Sequence, residues 1–223
     1  MQKSFQLRHI SKSYGKNLVL SDISADIPYG GITGVLGLNG VGKSTLFNVI
    51  AGFIDYSGVV EKENNYDVAY MSTDELIYPD LKLKEVIGFF KDFMPGFDSV
   101  RAADELARLD LDLKKTYRKL SMGQKRIVAF VMTICSNAKV YLFDEPLTNL
   151  DIIYRDYLIE TLIKDICDDK VFLISSHELM ELESVFSHVM ILKGTKLGAL
   201  VSTEEIRSGG QSIADFYKEA VKC

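Results

Sequence analysis

The stretch GLNGVGKST, Gly37 to Thr45, satisfies G-x-x-x-x-G-K-[ST]. It follows the apolar run ITGV and precedes a helical pattern, the strand-to-helix context this motif needs. Gly37, Gly40 and Gly42 let the backbone curl so that its N–H groups converge on phosphate oxygens. The start of the next helix adds its positive end. Lys43 can place a cation on β- and γ-phosphates, and the Ser44 hydroxyl can ligate Mg²⁺. A glycine-rich turn with no ligand is the weaker explanation of so complete a motif in this context.

Three further polar clusters follow apolar runs. After VYLF come Asp144, Glu145 and Pro146. A carboxylate closing a buried strand is costly unless a cation meets it. Nucleotide-bound Mg²⁺ would be that cation for Asp144, and Glu145 could then polarise a water. Alone, the pair could equally be a solvated turn. After VFLI come Ser175, Ser176 and His177. A lone histidine is usually structural, but this one is a third polar group at one sheet edge, where it would face the γ-phosphate. Finally LSMGQ, Leu120 to Gln124, opens a helix containing KRIVAFVMTIC. Ser121 with Gln124 three residues on matches a capping box, and a helix tip carrying Ser and Gly is also an anion site.

These groups must be positioned by the elements between them. Val19, Ile23, Ala25 and Ile27 share one parity, as in a half-buried strand. Gly15 and Gly30-Gly31 supply turns, and Gly52 stops the helix begun at the phosphate loop. KLKEVIGFFKDF and SVRAADELARL have helical spacing and are separated by Pro95-Gly96. The runs VYLF, VFLI and VMIL then alternate with helical segments. One segment carries Leu158, Leu162 and Ile166, and another carries Leu179, Leu182 and Phe186 on one face. Alternating strands and amphipathic helices predict a parallel sheet covered on both faces, with ligand at the strands' carboxyl ends.

In this setting the chain resembles the ATP-binding subunit of ABC transporters. LSMGQ looks like that family's signature motif, Leu147-Thr148-Asn149-Leu150-Asp151 like its D-loop, and His177 like its switch histidine. Tyr14 stands where the family's adenine-stacking aromatic stands. The resemblance covers nearly the whole chain. It implies an α/β P-loop NTPase (RecA-like) fold with a mainly parallel sheet and an N-terminal antiparallel β subdomain. The antiparallel and nucleotide-binding parts would occupy about 1–74 and 137–223, and a helical subdomain about 75–136. It implies ATP and Mg²⁺ as cofactors. Glu145, His177 and Lys43 would be catalytic. Tyr14 and the loop Gly37, Leu38, Asn39, Gly40, Val41, Gly42, Lys43, Ser44 and Thr45 would hold the nucleotide. Ser44 and Asp144 would hold the metal. Ser121, Gly123 and Gln124 would serve the nucleotide of a second subunit in a head-to-tail homodimer or heterodimer, with Asp151 shaping the interface. A separate transmembrane permease would anchor the subunit at the inner face of the cell membrane.

One part departs from the pattern. Where the family carries a Gln that touches metal and water, YMSTDELIYP places Thr73, and no Gln lies between Gln6 and Gln124. Thr73 keeps an oxygen near the metal but loses reach, and Asp74 or Glu75 could supply one instead. The segment GFFKDFMPGFDSVRAADELARLDLD resembles a bacterial exporter branch that moves peptides, antibiotics or lipids. Tyr78, Phe89, Phe90 and Phe93 could line a groove for a membrane-subunit helix, but core is the expectation.

Composition fits this picture. The chain has 223 residues, 47% hydrophobic and 26% charged, with net charge −5. An acidic chain argues against nucleic acid as partner. It weighs against the alternative of a soluble ABC ATPase on nucleic acid or ribosomes. A subunit that binds ATP but hydrolyses it weakly is favoured only by Thr73, and a P-loop kinase is opposed by LSMGQ. No run reaches the ~18 apolar residues of a membrane span, and MQKSFQLRHISK lacks a signal core. Cys135, Cys167 and Cys223 are too scattered for a metal or disulfide pattern. The short tail beyond Gly209-Gly210 leaves an added regulatory domain unexpected.

Overall fold

A computed structural model describes residues 4–61, 67–73, 77–176 and 179–222. Strands β1 (Ser4–Tyr14) and β2 (Asn17–Pro28) form a hairpin whose turn uses Gly15 at φ 58°. Strand β3 (Gly31–Leu36) leads into helix α1 (Lys43–Ala51), which Gly52 ends in the left-handed region at φ 79°. Strand β4 (Ser57–Val60) pairs antiparallel with β1, giving a sheet of order β2-β1-β4.

The larger sheet gathers β5 (Val68–Met71), β6 (Val140–Asp144), β7 (Val171–Ser176), β8 (His188–Lys193), β9 (Lys196–Leu197) and β10 (Val201–Ser202) with β3. Its order is β10-β8-β3-β7-β6-β5, with β9 on β8. The pairs β8-β3, β3-β7, β7-β6 and β6-β5 are all parallel, and β9 and β10 pair antiparallel. Parallel neighbours need crossovers, and helices supply them. These are α2 (Leu83–Phe93), α3 (Ser99–Arg108), α4 (Met122–Ile134), α5 (Ile152–Asp165) and α6 (Leu179–Leu182). Helices α7 (Thr203–Ser208) and α8 (Ile213–Lys222) close the described chain. The mainly parallel sheet, the separate antiparallel sheet and the covering helices are those expected from the sequence.

The apolar runs are uninterrupted because the sheet is buried on both faces. Val140, Leu142, Val171 and Leu173 face the core shared with α1 and the antiparallel sheet. Tyr141, Phe143, Phe172 and Ile174 face the other core, with the residues of α4 and α5. There Tyr141 stacks on Phe172 with centroids 4.9 Å apart, and Phe143 lies parallel to Phe172 at 6.5 Å. Truncating Phe172 to Ala removes a fully buried ring and should cost about 3–5 kcal/mol, seen as a lower urea midpoint. On the same side of the molecule Arg101 of α3 grips Asp165 of α5 through two 2.8 Å hydrogen bonds.

Three expectations need correction. The parity of β2 is not continuous: Leu20, Ile23 and Ile27 are the fully buried residues, while Val19 is half-buried. Asp22 takes a positive φ, 52°, and the register shifts between Ile10, opposite Ile23, and Lys12, opposite Leu20, so that Ser21 and Asp22 of β2 face Ser11 alone. Such a bulge moves the following residues to the opposite face. The helix predicted through Leu179, Leu182 and Phe186 stops at Leu182. The chain then turns, so that the ring of Phe186 covers Gly34, where a Cβ would stand 3.1 Å away. Finally, the aromatics expected in the core divide. Tyr78 (69%), Phe89 (45%) and Phe93 (64%) are exposed, and Phe90 alone packs against the core.

Candidate functional site

The phosphate loop follows β3, Asp144 closes β6, and Ser175 and Ser176 close β7, which lies between them. The three clusters therefore meet at the carboxyl edge of the sheet. Gly42 sits at φ 113°, and a Cβ there would meet Val19 Cγ1 at 2.9 Å. Only glycine fits that conformation and that contact. Gly42 caps α1 and offers no side-chain hydrogen bond to it. The first-turn amides of α1 are thus left for an anion.

Lys43 is 6% exposed. Its Nζ donates to the Gly37 carbonyl at 2.9 Å and lies 3.3 Å from Glu145 Oε1. Asp144 is fully buried. Its carboxylate accepts from Ser175 Oγ and, at 3.4 Å, from Tyr70 Oη. Register explains the first contact, because Asp144 and Ser175 are partners across β6 and β7. Glu145 lies just past the strand at φ 49°, a conformation that costs a non-glycine residue about 1–2 kcal/mol. Its N–H donates to the carbonyl and hydroxyl of Ser175, at 3.1 and 3.0 Å.

Arg126 of α4 reaches the same turn. Nη2 donates to the carbonyls of Asp144 and, at 2.6 Å, Glu145, while Nη1 donates to the Ser72 carbonyl at 3.0 Å. Burial pushes the guanidinium pKa down, and Asp144 and Glu145 oppose that shift. Sequence reasoning placed Ser175 at the sheet edge without a role and did not find Arg126 or Tyr70 as parts of the site. A basic residue inside the apolar helix KRIVAFVMTIC was the available signal for Arg126.

The capping box is formed: Gln124 N–H donates to Ser121 Oγ at 3.1 Å and Ser121 N–H to Gln124 Oε1 at 3.2 Å. Ser121 is exposed at the tip of α4, and a Cβ on Gly123 would stand 3.0 Å from the Asn149 carbonyl. The segment resembling the D-loop therefore lies against the one resembling the signature. Asp151 caps α5 by accepting from Tyr154 N–H at 3.0 Å. Tyr14 is half exposed at the hairpin, with Lys12 Nζ 5.0 Å from its ring centroid. Val19, on the strand paired to that of Tyr14, touches the phosphate loop at Gly42.

Thr73 is exposed just past β5. It borders a cleft of about 390 Å³ shared with Asn39, Phe90, Arg126, Glu145 and Asn149. His177, Asp74, Glu75 and Cys223 lie outside the described residues. Cys135 is buried and its thiol is pushed up to about 12 by that burial. Among the described residues no group of three or more His, Cys, Asp or Glu could hold a metal. The buried carboxylate of Asp144 suits Mg²⁺, which commonly binds through one or two carboxylates plus substrate phosphates. The open α1 start, the buried Lys43 and the single carboxylate of Asp144 fit MgATP.

A glycine loop opening a helix at the carboxyl edge of a parallel sheet, beside a buried aspartate, defines a P-loop nucleotide-binding protein. The family model described as ABC transporter matches residues 20–148. An uncharacterized ABC transporter ATP-binding protein of Methanocaldococcus jannaschii is 30% identical over 206 residues, 88% of this chain and 76% of that protein. The ABC transporter ATP-binding protein YtrB of Bacillus subtilis is 28% identical over 91% of this chain and 73% of its own length. A Fe(3+) ions import ATP-binding protein, FbpC 1 of Pectobacterium atrosepticum, is 31% identical over 98% of this chain and 68% of its own. A solved structure described as an ATP binding subunit of an ABC transporter superposes with TM-score 0.87. It covers 97% of this chain and 98% of that one at 23% identity, a likeness of fold. The chain belongs to the ABC transporter family, as its ATP-binding component. It is an ATPase that uses ATP with Mg²⁺, in a family whose ATP-binding subunits dimerise and work with transmembrane permease components. Among the described residues no helix is long and apolar enough to cross a membrane.

Proposed function

We propose that this chain hydrolyses MgATP at the edge where Lys43, Asp144 and Glu145 meet, and so drives export through a separate permease. The 3.3 Å approach of Glu145 to Lys43 carries the reading. It places a carboxylate beside the residue that would bind the transferring phosphoryl group. Gly37 to Thr45 wrap the phosphates with their amides, and Tyr14 stacks on adenine. Lys43 and His177 hold the γ-phosphate as charge shifts to it. Glu145 takes the proton of the attacking water. Phosphate competes with Glu145 for Lys43, so nucleotide binding frees the carboxylate for the water.

Ser44 and Asp144 would hold Mg²⁺, with Thr73 contributing through its hydroxyl. When bound, the ion neutralises charge on the β- and γ-phosphates. A second ATP-binding chain joins head to tail, and Ser121, Gly123 and Gln124 present their helix tip to its nucleotide. The helical stretch of about 75–136 acts as the subdomain that carries this tip, and Asp151 shapes the interface. The permease holds the subunit at the inner face of the membrane.

The resemblance of residues 88–112 to the exporter branch supports the outward direction. The name of FbpC 1 states import for that protein. Inside-out vesicles bearing the chain and its co-purified permease decide between them. ATP should drive peptide, antibiotic or lipid probes into the lumen. ATP-driven loss from preloaded vesicles would mean import, and co-purification with nucleic acid would mean a soluble ABC ATPase.

A further inference from the structure

Strand β5 ends at Met71 and β6 at Asp144, so the carbonyls of Ser72 and Glu145 lie beyond the ladder and need other donors. Arg126 donates to both and to the Asp144 carbonyl as well, and the Thr148 N–H adds a 3.3 Å bond to the Glu145 carbonyl. A planar guanidinium can hold three carbonyls in fixed directions, whereas an ammonium is a point charge. The grip falls where it matters. Glu145 is held at φ 49°, with Ser175 on its N–H and Arg126 on its carbonyl. Fixing both ends of a strained residue fixes the direction of its Cα–Cβ bond, from which the carboxylate is carried. The Ser72 carbonyl belongs to the residue immediately before Thr73.

Arg126 also lies on the helix whose tip is Ser121 to Gly123, five residues away from Ser121, or about 7.5 Å along the axis. One side chain thus ties three things together: the helix that begins at LSMGQ, the turn that carries the carboxylate, and the end of the strand before Thr73.

We propose that Arg126 is a positioning residue for ATP hydrolysis, holding the Glu145 turn and the end of β5 in register with α4. The proposal rests on Glu145 as the general base. Arg126 acts through that carboxylate and does not touch nucleotide.

A double-mutant cycle tests it, using steady-state hydrolysis and equilibrium binding of a fluorescent ATP analogue. Arg126→Met should lower kcat about 10-fold or more with nucleotide Kd within roughly threefold. Arg126→Lys, which keeps the charge and part of the hydrogen bonding, should recover part of the loss. In a Glu145→Gln background Arg126→Met should cost nothing further, because the carboxylate it aims is gone. Turnover within roughly twofold of the parent in Arg126→Met overturns the proposal. So does a loss that adds in full to that of Glu145→Gln, or one matched by an equal loss of binding. If Arg126→Met does not fold, Arg126→Lys takes its place in the same cycle: unchanged kcat overturns, and reduced kcat that is absent from the Glu145→Gln background supports. Near-parental turnover in Glu145→Gln alone would instead refute the general-base assignment.

Discussion

Glu145→Gln should reduce ATP turnover by roughly 100-fold or more while leaving ATP bound. A positioned general base contributes about 10²–10⁴ in rate, and glutamine cannot accept the proton. The substitution keeps the shape of the side chain. Its backbone contacts to Ser175 and Arg126 do not involve the carboxylate and should persist. It removes the charge that shares Lys43 at 3.3 Å, so phosphate no longer competes with a carboxylate for that ammonium. ATP affinity should therefore be equal or higher. Phosphate release and nucleotide titration on the same preparation check both halves. Turnover near the parental rate would remove Glu145 from the chemistry.

Lys43→Met should act on the other half of the cycle, weakening ATP binding itself. A hydrogen bond from a charged donor is worth about 1.5–3 kcal/mol, so affinity should fall roughly 10- to 150-fold. Methionine is close in volume and suits a position only 6% exposed. The melting temperature should move little, although the Gly37 carbonyl loses its 2.9 Å donor. Titration with a fluorescent ATP analogue, beside a thermal melt, measures the two effects separately. Unchanged affinity in a folded variant would contradict the phosphate role of Lys43.

Much of the site could be read in the sequence because its parts are local. A glycine loop, its lysine and the following helix are contiguous, and Asp144 directly follows the run that forms β6. Alternation of short apolar runs with helical segments was enough to anticipate the parallel sheet, at whose carboxyl edge the polar clusters meet. Contacts between distant segments were not readable in this way. Tyr70 reaches Asp144 only because β5 and β6 pair, and Arg126 reaches Ser72 only because α4 packs near that edge.

Periodicity misled where one residue changed the frame. The bulge at Asp22, which has a positive φ, reverses the buried face of β2 between Leu20 and Ile23, which a constant parity cannot represent. In α2 the inward stripe is Leu83, Val86, Ile87 and Phe90, at helical spacing. Phe89 falls outside that stripe, and Phe93, seven residues after Val86, lies at its edge but is the last residue of the helix and is exposed, so counting aromatics as core without placing them on the helix failed.

Mixing two inactive variants tests most directly whether ATP is hydrolysed at sites shared between copies of this chain. Lys43→Met disables the phosphate loop, and Ser121→Arg blocks the helix tip offered to the neighbour. In a head-to-tail pair of the two variants, one site carries both lesions and the other carries neither. Each variant alone should be silent, and an equimolar mixture should regain up to roughly a quarter of parental activity, as random pairing requires. Parental rates from Ser121→Arg alone, or a mixture that pairs but stays silent, would contradict shared sites in a pair of this chain.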